Sequence, residues 1–219
     1  MKEPFANNRE DYIINLLDLS KKDNVLIIGV SNIPTLEKRI QNLAKECWIL
    51  DLDNIKLEKA GKILNKSKLI NADITKKINL PNNHFTKIMI LEVLEHLDDD
   101  KGALIKLNKL LHPKGSLIIA VPNKSFLHIF NPLLYTQHKR HYCNDKIIEL
   151  LKETGFSIKH FNVVENWSMF FNLYLHLFYK FILNRNKKFL TLEKIPGNTY
   201  RQFNKTGLDI IIKSIKTAP

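Results

Sequence analysis

Residues 89–97 read MILEVLEHL, an apolar run that breaks into two glutamates and a histidine. Met89 to Leu91 continue the β-branched and aliphatic character of residues 85–88, as a buried strand would. Glu92, Glu95 and His96 then stand at i, i+3 and i+4. On a helix beginning there, the three polar heads share one face. A strand running straight into an acidic turn is what a ligand site at the carboxyl end of a parallel sheet looks like from the sequence, so the rest of the chain must show whether such a sheet exists.

It does so by alternation. Apolar runs rich in β-branched residues recur at 25–29, 47–52, 68–71, 87–91, 116–121, 157–164 and 208–215, and helical patterns occupy 35–45, 54–64, 101–111 and 144–153. Strand and helix in turn predict a mostly parallel sheet with helices on both faces. Asn54, Asp98 and Asn144 are placed as helix N-caps, with Asp53 an alternative cap for the second helix. Gly115 and Gly155 are placed where helices should stop. No repeat and no Gly/Ser/Pro linker divides the 219 residues, so one α/β domain is expected.

Composition narrows the function class. The N-terminal MKEPFANNREDY has no apolar h-region, and Cys47 and Cys143 lie far apart without a CxxC spacing, which predicts a cytoplasmic protein with reduced thiols and no zinc site. The formal charge of +12 would suit nucleic acid, but 29 of the 34 basic residues are Lys and five are Arg. Phosphate recognition favours the arginine fork, so an RNA partner is the lesser alternative.

The strand ends can be read in order. The first, NVLIIG, ends at Gly29 and passes through VSNIP, with Pro34 suited to a first helical turn. The second ends in Asp51 and Leu52; an acid there can accept hydrogen bonds from both hydroxyls of a ribose. After the third come Ala72, Asp73 and Ile74, a carboxylate beside an apolar residue that suits the amino edge and face of an adenine. Asp73 could equally serve only its own turn.

NVLIIG, ILDLDNIKLEKA, INADI, residues 85–97 and LNKLLHPKGSLIIAVPN together resemble successive motifs of a class I S-adenosylmethionine-dependent methyltransferase, and HKRHYCNDKIIELLKETGFSI resembles the end of that domain. The resemblance implies a Rossmann-like, seven-stranded, mostly parallel sheet with the last strand antiparallel. It implies S-adenosylmethionine as cofactor, bound by Gly29, Ser31, Asp51, Leu52, Ala72, Asp73, Ile74 and Leu91. This sequence departs from the family's D-x-G-x-G-x-G turn, because Ile27, Ser31 and Ile33 stand where an acid and two glycines are usual. A β-branched Ile33 does not take positive φ cheaply, so the turn should follow another path. The loss of the acid at Ile27 removes a partner for the ammonium end of the methionine moiety. Thr86 replaces the Asp that often precedes the fourth strand.

The acidic cluster has three readings. It could be a plain helix start. It could be a pocket wall in which Glu92, His96 and His141 act in catalysis, a histidine serving as base for the acceptor. By resemblance to ubiquinone-biosynthesis O-methyltransferases and small-RNA 3′-end methyltransferases, Glu92, Glu95, His96 and His141 (or His138) could also hold Mg²⁺ or Mn²⁺.

Residues 167–183, WSMFFNLYLHLFYKFIL, place Ser168, Asn172, His176 and Lys180 four apart, so that a helix would be apolar around the rest of its circumference. With the basic NRNKK that follows, 167–188 reads as an apolar lid, inserted at about 166–206, or as a peripheral membrane contact. The resulting expectation is a single methyltransferase domain over 1–219. It should act on a small, lipid-like or apolar acceptor, by O-methyl transfer. The alternatives are an RNA methyltransferase and a catalytically inactive methyltransferase-like binding subunit, the latter suggested by the glycine-poor turn. The sequence does not set the oligomeric state.

Overall fold

A computed structural model describes residues 8–124, 139–164, 207 and 209–217. The elements run α1 (Arg9–Leu17), β1 (Asn24–Ile28), α2 (Thr35–Leu43), β2 (Glu46–Asp51), α3 (Asn54–Gly61), β3 (Ser67–Asn71), β4 (Phe85–Leu91), a 3₁₀ turn (Leu94–His96), α4 (Asp100–Leu110), β5 (Leu111–Pro122), α5 (Asn144–Glu153), β6 (Phe156–Val164) and β7 (Asp209–Lys216). The expected lid at 166–206 and His138 lie outside the described residues.

The seven strands form one sheet in the order β3-β2-β1-β4-β5-β7-β6. Strands β1 to β5 pair in parallel, and β7 lies antiparallel between β5 and β6. All seven apolar runs are strands, and the last is the antiparallel one, as expected. Strand order reverses at β1, whose neighbours are β2 and β4, and a crevice opens at such a point because the connecting helices leave to opposite faces.

Period-two alternation divides the buried side chains between those faces. Val25 and Ile27 of β1, Ile49 of β2 and Met89 of β4 pack with Tyr12, Ile13, Leu36, Ile40 and Leu57 from α1, α2 and α3. Leu26, Ile28, Leu50, Ile88 and Ile90 pack with Ala103, Leu104, Leu107, Ile147 and Leu151 from α4 and α5. Ile27, where the family carries an acid, is thus an ordinary core residue, 1% exposed.

Local chemistry sets the element ends, with shifts from the sequence reading. The N-cap of α3 is Asp53, which accepts the Lys56 N–H; that of α4 is Asp99, accepting Gly102 N–H; that of α5 is Cys143. Gly155 closes α5 with φ +83°. Gly115 stops nothing: α4 ends at Leu110, and residues 112–115 form an irregularity inside β5, where the register with β4 jumps from Phe85↔Leu111 to Lys87↔Ser116. Thr86 closes the far end of the sheet, donating to Asp23 (2.7 Å) and accepting from Asn24 N–H (3.1 Å).

Helix α1 has no counterpart in the apolar pattern read above. Asn8 caps it through Asp11 N–H, and Glu10 and Asp11 suit its positive end. The Tyr12 hydroxyl hydrogen-bonds His160 (2.5 Å) and Asn162 (3.1 Å), and Lys213 donates to the Leu16 carbonyl (2.6 Å), so α1 is fastened to β6 and β7.

Gly29 joins this frame to the crevice. Its φ is +84°, its N–H donates to the Leu50 carbonyl (2.8 Å), and a Cβ added there would stand 2.5 Å from Val93 Cγ2. Strain and overlap act together, so Gly29→Ala should lower stability by about 2–4 kcal/mol in a denaturant titration, whereas Gly61→Ala, within α3 and without positive φ, should cost much less.

Candidate active site

A cavity of about 500 Å³ lies at the carboxyl ends of β1, β2 and β4, within the size range of small-ligand pockets. Its walls include Gly29, Ser31, Asp51 and Leu91 of the residues expected to bind cofactor, together with Glu92, Val93 and Met89 from β4 and the turn after it. Arg9, Glu10 and Ile13 of α1 form one side, and Glu37 lies on the side of α2.

Asp51 organises the floor. One carboxylate oxygen accepts the Val30 N–H (2.7 Å) and the other the Asp53 N–H (2.8 Å). Two charge-assisted bonds to backbone fix the carboxylate at the strand end, and each oxygen retains a lone pair for a ligand hydroxyl. Asn71 donates to the carbonyls of Asp51 and Leu52, holding the neighbouring turn, and Leu52 is 70% exposed.

The β1–α2 turn replaces glycine with side-chain bonds. Ser31 N–H and Oγ both donate to Glu37, at 2.9 and 2.8 Å, and Ile33 points to solvent, 75% exposed, with no positive φ. The path therefore differs from a glycine-rich turn, as the β-branched residue required. Sequence reasoning missed Glu37. The available signal was Pro34 at an N-cap, which denies an N3 glutamate its usual backbone partner.

Ala72, Asp73 and Ile74 are not among the residues lining the described cavity. Asp73 accepts both the N–H and the hydroxyl of Thr75 (2.8 and 2.6 Å), which hold its carboxyl below the usual carboxylate range. Ile74 is buried in the core cluster that includes α4.

No helix starts at Glu92. The residue has φ +52°, uncommon for a side chain with a Cβ, its N–H donates to the Ala120 carbonyl, and its carboxylate lies 2.5 Å from Arg9, which also reaches Asp209 at 3.4 Å. Arg9 is the second functional residue that the sequence reading missed; its signal was the capped, amphipathic NREDYIINLL. Glu95, in the 3₁₀ turn, is fully buried, and neither of its carboxyl oxygens meets a hydrogen-bond donor among the described residues. Burial first, and then the nearby Glu92 charge, push its acid up to about 8. His96 is half exposed, its ring 3.8 Å from Glu95. His141 is half-buried between Arg140, which pairs with Asp100 at 2.6 Å, and Tyr142, whose hydroxyl donates to the same carboxylate at 2.6 Å.

Of the four residues expected to hold a metal, Glu92, Glu95 and His96 are neighbours, with Glu92 paired to Arg9. Among the described residues no three His, Cys, Asp or Glu side chains converge to hold an ion. Glu92 is paired with Arg9, and burial together with the Glu92 charge favours the neutral form of Glu95 in this arrangement.

Glu95 also sets a pH dependence. Unfolded, it ionises near the ordinary carboxylate value of 4.5; folded, it holds its proton to about 8. Between those values the folded state binds the extra proton, so stability is full at low pH and falls as pH rises through this window. Glu95→Gln should flatten that fall, leaving the variant more stable than the wild type at pH 8 by chemical denaturation. A wild-type-like pH profile in the variant would overturn the assignment.

Comparison with known proteins bears on the site directly. Residues 31–119, from the β1–α2 turn to β5, match a family model described as a methyltransferase domain. A ubiquinone biosynthesis O-methyltransferase of Dictyostelium discoideum is 33% identical over 78 residues, 35% of this chain and 24% of that protein, so the match spans about a quarter of the relative's length. Among solved structures, the N-methyltransferase NodS of Bradyrhizobium japonicum, in complex with S-adenosylhomocysteine, is similar over 96% of this chain and 86% of its own, with a TM-score of 0.63 at 14% identity. The geranyl diphosphate C-methyltransferase of Streptomyces coelicolor is similar over 95% and 79%, with a TM-score of 0.66 at 8% identity. The matched segment carries the β1–α2 turn, Asp51 and the β4 strand end, and the seven-stranded sheet on which it lies has the Rossmann-like fold of class I S-adenosylmethionine-dependent methyltransferases.

Proposed function

We propose that the protein transfers a methyl group from S-adenosylmethionine to an oxygen of a small, apolar acceptor. The observation that carries this reading is the cavity at the reversal of strand order, with the Asp51 carboxylate fixed at its floor and still able to accept from ligand hydroxyls. The cofactor supplies a sulfonium-bound methyl that passes to an acceptor lone pair as the S–C bond breaks. The protein's task is then to hold the two reactants in line and exclude water. Asp51 holds the ribose end. Gly29 lets the turn approach, and Leu91 and Met89 supply apolar wall. Glu92, turned into the cavity wall by its positive φ, stands where the acceptor would meet the cofactor. His96 and His141 are the candidates to take the proton of an acceptor hydroxyl, a role that imidazole fills near neutral pH. The sequence relatives and structural neighbours include O-, N- and C-methyltransferases by name, so the fold leaves the acceptor atom open, and the O-methyl reading leans on the sequence relative.

Asp51→Asn keeps an oxygen for the turn but removes the charge. It should weaken S-adenosylmethionine binding by about 1.5–3 kcal/mol in a calorimetric titration. An unchanged Kd would show that the ribose lies elsewhere.

The apolar acceptor is supported by the composition of residues 167–183 and by the ubiquinone-pathway relative. Replacing Phe171 and Phe178 by Ser should lower turnover of a polyprenylated phenol or association with anionic liposomes, and should leave S-adenosylhomocysteine affinity intact. Loss of cofactor affinity alongside would assign this segment to the cofactor instead.

A further inference from the structure

Glu37 is a buried carboxylate on the cavity wall, 4% exposed. Its placement follows from the sequence of the turn. α2 begins at Thr35 with Pro34 as N-cap, which puts Glu37 at the third helical position. A glutamate there ordinarily bonds back to the N-cap N–H, but proline has none. The carboxylate reaches past it to Ser31, taking the N–H at 2.9 Å and the hydroxyl at 2.8 Å on one oxygen and 3.0 Å on the other.

These donors are neutral and belong to one residue. Among the described residues no Lys, Arg or His forms an ion pair with Glu37, whereas the cavity's arginine, Arg9, is committed to Glu92 and Asp209. A buried carboxylate satisfied only by neutral donors keeps much of its desolvation cost, and a cation brought into the cavity would offset it. The positions of the two acids also matter. Asp51 accepts the N–H of Val30 and Glu37 accepts the N–H of Ser31, so two carboxylates grip consecutive amides of one turn. A ligand lying along that turn with hydroxyls at one end and a cation at the other would meet both.

Resting on the cofactor reading above, we propose that Glu37 is the anionic partner of the α-ammonium group at the amino-acid end of the cofactor. The acid missing from β1 at Ile27 has its counterpart on α2. Ile27 is sealed in the core and brings no charge to the cavity, whereas Glu37, on the helix side of the turn, does reach its wall.

The test uses the full chain and three ligands: S-adenosylhomocysteine, its analogue lacking only the α-amino group, and 5′-methylthioadenosine, which lacks the amino-acid end. Calorimetry on the wild type should show S-adenosylhomocysteine binding about 10- to 100-fold more tightly than the deamino analogue. In Glu37→Gln that preference should vanish, with 5′-methylthioadenosine binding unchanged. Equal affinity of the wild type for the two larger ligands, or a preference retained in the variant, overturns the proposal and leaves Glu37 as a brace for Ser31. If Glu37→Gln does not fold, Glu37→Asp takes its place: drawing the charge back by one methylene should shrink the preference, and an undiminished preference overturns the proposal. Should the wild type bind none of the three, the cofactor reading itself falls and this inference goes with it.

Discussion

The backbone at Gly29 turns to φ +84° with the Val93 side chain directly over it, and the site depends on that contact. The Gly29 N–H makes the last bond from β1 to β2, to the Leu50 carbonyl, and the positive φ then turns the chain away beneath Val93. Three strand ends are thereby drawn to one point without a side chain between them. The chain leaves that point across the Asp51 carboxylate, which accepts the next N–H, and the space between turn and strand ends is the cavity. A single residue without a Cβ therefore sets both the closeness of the strands and the depth of the site.

Beyond Gly29 the turn achieves order by a different route from a glycine-rich loop. Ser31 is held through three bonds to Glu37, and Pro34 restricts the backbone where α2 begins. Positive φ is then unnecessary at Ile33, whose side chain faces solvent. This arrangement exchanges backbone freedom for a carboxylate inside the cavity. A glycine-rich turn would be neutral; this one carries charge, and that charge bears on what the cavity can hold.

The two glutamates of EVLEHL also divide. Positive φ at Glu92 sends its side chain toward α1, where Arg9 bridges it to Asp209 at the start of β7. Glu95, three residues on, turns into the core. The 3₁₀ turn, only three residues long, leaves the two carboxylates near one another but gives them different environments, one paired with Arg9 and the other buried. The Glu92 charge at the mouth of the cavity is consequently paired within the protein, by an arginine from the far end of the described chain.

Most of the frame was legible in the sequence, because strand burial on both faces leaves continuous apolar runs and the helices between them repeat every 3.6 residues. Seven strands, four helices and the placing of Asp51 at a strand end follow from that local pattern, whereas the antiparallel last strand was implied only by the family resemblance. Helix α1 escaped because its apolar positions mean little until β6 and β7 supply His160, Asn162 and Lys213 as partners. The fates of Glu92, Glu95 and Glu37 were likewise beyond local reading. Each depends on a neighbour distant in sequence or on a single dihedral: Arg9 for the first, burial for the second, and for the third a proline whose missing N–H sends the carboxylate elsewhere. Residue types fix which groups can carry charge; only the tertiary structure decides which of those charges are neutralised, which are buried with their proton, and which are left facing the ligand.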